Sequence, residues 1–180
     1  MRLFVALDLP WPARERLASL GGGIPGARWT PPENLHMTLR FIGEVDKHQA
    51  EEIDGALAAI RARPFQLMLA GVGLHTRGQR AFSLWAGVAR DGSFDRLLAL
   101  QAKVETALQR AGFEPERRRF APHVTLARLD GAPEAKLAGF VQANNLLRID
   151  LGEVAHFTLF SSRLGKEQSA YTAEVEYPLA

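Results

Sequence analysis

Apolar residues along this chain keep two rhythms, one of period two and one near three and a half, and the changes between them lay out the elements. The opening run Leu3-Phe4-Val5-Ala6-Leu7, closed by Asp8, reads as a buried strand. Pro12 can open a helix that carries Leu17 and Leu20 and stops at Gly21-Gly22-Gly23. A short strand over 27–30, a turn at Pro31-Pro32 and a strand over 35–42 follow. Ala50, Ile53, Leu57 and Ile60 recur at helical spacing, which predicts a helix over 46–62, ended before Pro64. Strands are expected over 65–72 and 81–88, with Gly71-Val72-Gly73 as a strand end and His75 to Arg80 as a loop. Phe94, Leu97, Leu100, Val104 and Leu108 line one side of a helix over 93–111, capped by Gly112. A strand beginning at about His123, a short helix from Pro133 to about Gln142, and strands over 147–154, 156–162 and 171–177 complete the chain. Strands joined by short turns and interspersed with helices predict an α+β fold with mainly antiparallel sheets.

Composition narrows the chemistry more than the class. The chain has 180 residues, 47% hydrophobic and 23% charged, which fits one domain with a substantial core. It has no cysteine, so disulfides, a thiol nucleophile and cysteine-ligated metals are excluded. The first apolar run is too short for a signal-peptide core or a membrane helix, and a cytoplasmic location is expected. Net charge is only +2, yet 18 of the 22 basic residues are arginine. Arginine suits bidentate phosphate contacts, but a GC-rich coding sequence gives the same bias, so only arginines near a motif carry weight.

The chemistry lies in two tetrapeptides, His36-Met37-Thr38-Leu39 and His123-Val124-Thr125-Leu126, one in each half of the chain. On a strand, His and Thr two residues apart share a face, and the intervening Met or Val and the Leu share the other. Two such strands facing each other would bring two imidazoles and two hydroxyls to one cleft. Imidazole titrates near neutrality, so one ring can take a proton from water while the other protonates a leaving oxygen. Threonine hydroxyls can donate to non-bridging phosphate oxygens. Such a site needs no metal and suits a strained cyclic phosphate.

The resemblance extends beyond the tetrapeptides. Arg2 to Leu7, the block Trp29 to Glu44, and Phe120 to Arg128 together resemble the RNA 2′,3′-cyclic phosphodiesterases, also called 2′-5′ RNA ligases, of the 2H phosphoesterase superfamily. The resemblance covers nearly the whole chain. It implies a single 2H phosphoesterase domain over residues 1–180, bilobal and pseudo-symmetric, with helices outside and one motif per lobe at a central cleft. It implies hydrolysis of a terminal 2′,3′-cyclic phosphate in RNA to a 2′-phosphate, with no cofactor and no metal. His36 and His123 match the two catalytic histidines, Thr38 and Thr125 the phosphate-binding threonines, and Arg128 a phosphate-contacting residue. Strict alternation, however, points Arg128 away from the cleft unless its strand bends near Ala127. If the 3′ oxygen leaves, His36 protonates it and His123 activates water; the reverse assignment stays open. The expected partner is an RNA end, with no membrane association, and a monomer is expected.

Other residues have structural readings beside functional ones. Arg40 shares parity with His36 and Thr38 and is expected either to face the substrate in the cleft or to stand solvated at the cleft edge, whereas Phe41 has the core parity of Met37 and Leu39. Arg117-Arg118-Arg119 can track an RNA backbone or form a solvated turn, and Trp29 can stack a base or pack. His48 is expected exposed on a helix, His75 as a plain loop histidine or one lining an RNA path, and His156 as a structural strand residue. No His-Glu-x-x-His, P-loop or dinucleotide glycine signature occurs. Alternatives are an ATP-independent 2′-5′ RNA ligase on tRNA halves, a phosphodiesterase for another small cyclic phosphate, and a non-catalytic RNA-binding module.

Overall fold

The computed structural model describes residues 1–180. Nine strands and four helices follow in the order β1 (Arg2–Asp8), α1 (Trp11–Ala18), β2 (Ala27–Trp29), β3 (His36–Glu44), α2 (Lys47–Ala58), β4 (Phe65–Arg77), β5 (Arg80–Val88), α3 (Gly92–Arg110), β6 (Val124–Leu129), α4 (Glu134–Asn144), β7 (Arg148–Val154), β8 (His156–Arg163) and β9 (Ala170–Pro178), with a 3-10 turn over Pro32–Asn34. No helix is long and apolar enough to cross a membrane.

The strands form two antiparallel sheets. One has the order β3-β1-β8-β9 and the other β2-β6-β5-β4-β7. Setting β2 aside, each strand of the first sheet has a counterpart in the second: β3 with β6, β1 with β5, β8 with β4, β9 with β7. We call the first sheet with its helices lobe A and the second lobe B. The motif strands therefore occupy equivalent positions. The lobes are not, however, the two halves of the sequence. Lobe B is an unbroken stretch from β4 to β7 inserted into lobe A, and β2 crosses from the N-terminal region to join it.

The two sheets share one apolar core. Leu3, Val5 and Leu7 of β1 and Leu84 and Ala86 of β5 belong to the same buried cluster as Leu97, Leu100, Val104 and Leu108 of α3. The helical spacing of that last set explains why α3 forms and which face it buries. Burying an aliphatic side chain contributes roughly 1.5–3 kcal/mol, so this stripe fixes α3 against the sheet. Asp46 caps α2, accepting from the Gln49 amide at 2.8 Å while Gln49 accepts from the Asp46 amide at 3.0 Å. This reciprocal pair supplies partners for amides that the first helical turn leaves unpaired.

The sequence expectation fails at β4. The strand continues through Gly71-Val72-Gly73 to Arg77, and only Gly78-Gln79 remains as the turn to β5. Register moves from Leu69 opposite Val88 to Val72 opposite Ala86, so β4 holds one extra residue there. Gly71 absorbs it at a φ of +70°, a conformation costly for any residue with a Cβ. A bulge thus stands where the glycine pair read as a strand end, and His75 lies on a strand rather than in a loop.

Candidate active site

Each motif histidine is held by the carbonyl two residues upstream. His36 Nδ1 donates to the Asn34 carbonyl at 2.6 Å, and His123 Nδ1 donates to the Ala121 carbonyl at 2.7 Å. A carbonyl can only accept, so the proton of each neutral ring sits on Nδ1 and the Nε2 lone pair is available. At His36 that lone pair accepts from the Thr38 hydroxyl at 3.0 Å. Asn34 in turn donates through its side chain to the Ser169 carbonyl at 2.8 Å, which ties the hairpin between β8 and β9 to the first motif.

Met37 and Val124 are fully buried, and Leu39 and Leu126 nearly so, which leaves His36, Thr38 and Thr125 half-buried on the opposite face. Strands β3 and β6 approach one another, and positive charge on His123 is felt at His36. The two imidazoles, half a chain apart in sequence, thus stand within electrostatic reach. A cavity of about 310 Å³ is lined by His36, Phe41, Thr125, Arg128, Tyr171 and Trp29, among others.

The surroundings of the two rings differ. Burial pushes His36 below the ordinary imidazole value, and the charges of Arg14 and His123 act in the same sense. The Asn34 carbonyl and the Asp8 carboxylate oppose that shift without cancelling it. Phe4 and Tyr171 supply much of the apolar wall, with ring centroids 5.1 and 5.2 Å from that of His36. His123 instead faces Trp85 at 6.3 Å and His75 at 4.9 Å.

Parity fails in both motif strands at the same place. On β3, Thr38 lies opposite Ala6 and Arg40 opposite Val5, leaving Leu39 as an extra residue. On β6, Thr125 lies opposite Trp85 and Ala127 opposite Leu84, leaving Leu126 extra. The leucine of each tetrapeptide is therefore a bulge, which reverses the facing of everything after it. Arg128 is consequently returned to the cleft face with Thr125, where strict alternation had pointed it away. Phe41 is 64% exposed in the cavity, contrary to its expected core position.

Arg40 is the corresponding correction on the other face. It is 8% exposed rather than solvated at the cleft edge. Its Nε donates to Glu105 Oε2 at 2.7 Å, and its remaining donors reach the Phe41 and Glu114 carbonyls. Glu105 on α3 also accepts from the Glu116 amide at 2.8 Å. Burial raises the Glu105 carboxyl, but this hydrogen bond and those from Arg40 and Gln109 outweigh it and hold the group below the usual carboxylate range.

The remaining candidates separate clearly. Arg117, Arg118 and Arg119 are exposed before β6. Trp29 is half-buried at the cavity wall against Phe140, with ring centroids 5.7 Å apart. His48 is exposed and pairs with Glu52 at 3.3 Å on α2. His156 opens β8 with Nε2 3.3 Å from Asp8 and 4.0 Å from Glu176. His75 is the residue that the sequence reading misplaced, because Gly71, read as a strand end, is the bulge through which β4 runs on to bring His75 beside His123.

The sequence profile of the LigT-like phosphoesterases matches residues 7–85 and 89–171. The chain belongs to this family. Among its relatives, the RNA 2′,3′-cyclic phosphodiesterase of Aeropyrum pernix is 38% identical over 162 residues, covering 90% of this chain and 87% of that protein. The enzyme of the same name from Archaeoglobus fulgidus is 33% identical over 132 residues, covering 72% and 73%. The crystal structure of the LigT-like phosphoesterase of E. coli in complex with 3′-AMP superposes with a TM-score of 0.76 at 28% identity, over 99% of this chain and 97% of that one. TT0787 of Thermus thermophilus shares the LigT-like fold at a TM-score of 0.80 and 24% identity, over 99% and 98%.

Proposed function

We propose that this protein is an RNA 2′,3′-cyclic phosphodiesterase that opens a terminal 2′,3′-cyclic phosphate to a 2′-phosphomonoester. The observation that carries the reading is the matched pair of histidines, each fixed by its upstream carbonyl with Nε2 left for chemistry. Family membership and the names of the relatives support the same activity.

In the scheme, a water oxygen attacks phosphorus in line with the P–O3′ bond. His123 Nε2 takes the water proton, and His36 Nε2–H gives a proton to O3′ as that bond breaks. The product carries a 2′-phosphate and a free 3′-hydroxyl. Thr38, Thr125 and Arg128 donate to the non-bridging oxygens, where charge develops. Unprotonated at Nε2, His36 accepts from the Thr38 hydroxyl. An anionic phosphate favours the imidazolium form, so binding would charge His36 and release Thr38 towards the substrate. No step calls for a metal ion. The substrate is the cyclic end of an RNA, handled in the cytoplasm by a monomer.

The test is phosphorus NMR of a 2′,3′-cyclic mononucleotide incubated with the protein in EDTA. A 2′-monoester is expected. A 3′-monoester, or no turnover without added metal, rejects the scheme.

A further inference from the structure

The two motif histidines are secured to different degrees. His36 has hydrogen bonds on both ring nitrogens and aromatic rings on two sides. His123 has one hydrogen bond, from Nδ1, and no partner at Nε2. Its lateral support comes from lobe B itself. His75 on β4 meets the His123 ring edge-to-face, with centroids 4.9 Å apart and planes at 82°.

His75 is itself constrained. Its Nδ1 is hydrogen-bonded to Oγ of the buried Ser83 at 2.8 Å, across the β4–β5 pair. Its ring stacks on Phe82 at 5.8 Å and 21° and rests against Trp85 at 5.5 Å. Trp85 can lie there because β4 carries glycine beneath it. A Cβ on Gly73 would stand 2.4 Å from the indole. The β4 bulge, the bare backbone at Gly73 and the Ser83 hydroxyl thus all serve one placement, that of the His75 ring beside His123.

We propose that His75 is a positioning residue for His123, holding that imidazole so that Nε2 faces the reacting phosphate. The proposal rests on the phosphodiesterase reading. Charge is consistent with it: burial, and then the charge on His123, lower the His75 pKa. His75 therefore stays neutral when His123 takes up a proton, and the contact survives the protonation step.

The experiment combines steady-state hydrolysis of a 2′,3′-cyclic mononucleotide with nitrogen-15 NMR of the His123 side chain. His75→Ala is expected to lower kcat by about ten- to thirty-fold with KM within about two-fold, the scale of a small misplacement of a reacting group. The His123 signals are expected to change from the Nδ1–H form to a mixture of tautomers. His75→Phe keeps a flat ring and is expected to restore both kcat and the Nδ1–H signature. Ser83→Ala leaves His75 present but untethered and is expected to give a smaller loss with the same spectral change. Wild-type kcat and wild-type His123 signals in His75→Ala overturn the proposal. So does a fall in kcat with unchanged His123 signals. If His75→Ala does not fold, Ser83→Ala decides by the same two readouts. A wild-type protein that leaves the cyclic nucleotide intact defeats the phosphodiesterase reading, while the NMR comparison still tests the contact.

Discussion

In lobe A the position five residues beyond the motif histidine carries Phe41, and its neighbours across the sheet are Phe4 and Phe160. In lobe B the equivalent row is Arg128, Ser83 and His75. The backbone plan is shared, down to a bulge at the leucine of each motif, but one row is wholly aromatic and the other polar. A duplicated scaffold has thus been given two environments. Lobe A buries its imidazole and depresses its pKa, whereas lobe B sets its imidazole against the rings of His75 and Trp85. The lowered pKa by itself favours neutral His36, so its part as the acid depends on the bound phosphate, whose negative charge favours the imidazolium form.

The comparison breaks first at the histidines. His36→Ala and His123→Ala are each expected to lower kcat by about 10²–10⁴-fold, the usual contribution of a proton-transfer group. Near-wild-type turnover in either variant would show that the lobes are not partners. The row beyond them sharpens the contrast. Arg128→Ala is expected to cost about 10²-fold in kcat/KM, as loss of a donor to developing charge does. Phe41→Ala is expected to cost less than a tenth of that. Equal losses, measured side by side on one cyclic nucleotide, would deny the division of labour.

Arg40 tests what holds β3 to lobe B. Arg40→Met strands the Glu105 carboxylate in a largely buried site, and a loss of about 3 kcal/mol in urea unfolding is expected. The folded pKa of Glu105 is depressed, so its contribution is present above the ordinary carboxyl range and is lost as pH falls through the folded value. Stability of the variant should therefore depend less on pH in the acidic range. A parallel pH dependence in variant and wild type would exclude the pair as its source.

The smallest effect is a displacement along the pH axis. With His36 as the acid, kcat/KM falls as pH rises through its free-enzyme pKa. Burial puts that limb below 6.5. Tyr171→Ala opens the wall around His36 and is expected to move the limb upward; a limb that stays put would disconnect the aromatic row from the titration.

Much of this was legible beforehand, for identifiable reasons. The β1 run, the α3 stripe and both motif strands each repeat a period over several residues, and period survives in sequence. The bulges do not, because a single extra residue changes parity without changing composition. On β6 a trace remains: Val124 and Leu126 keep one phase, then Ala127 and Leu129 take the other, both sets buried. On β3 the run Met37, Leu39, Phe41 stays in phase through the bulge, so Arg40 and Phe41 were assigned to the wrong faces. His75 was hidden because the β4 bulge at Gly71 reads locally as a strand end, and because Trp85, against which its ring rests, lies ten residues later in the chain.

The interleaving of the lobes also bears on how the molecule is made. β1 precedes the other strands in the chain, but one of its two sheet neighbours, β8, follows only after all of lobe B. The inserted lobe can close on itself during synthesis, while β1 waits for β8. Long-range pairing of this kind slows folding, and the Asn34–Ser169 contact at the cleft is one that needs the C-terminal hairpin in place.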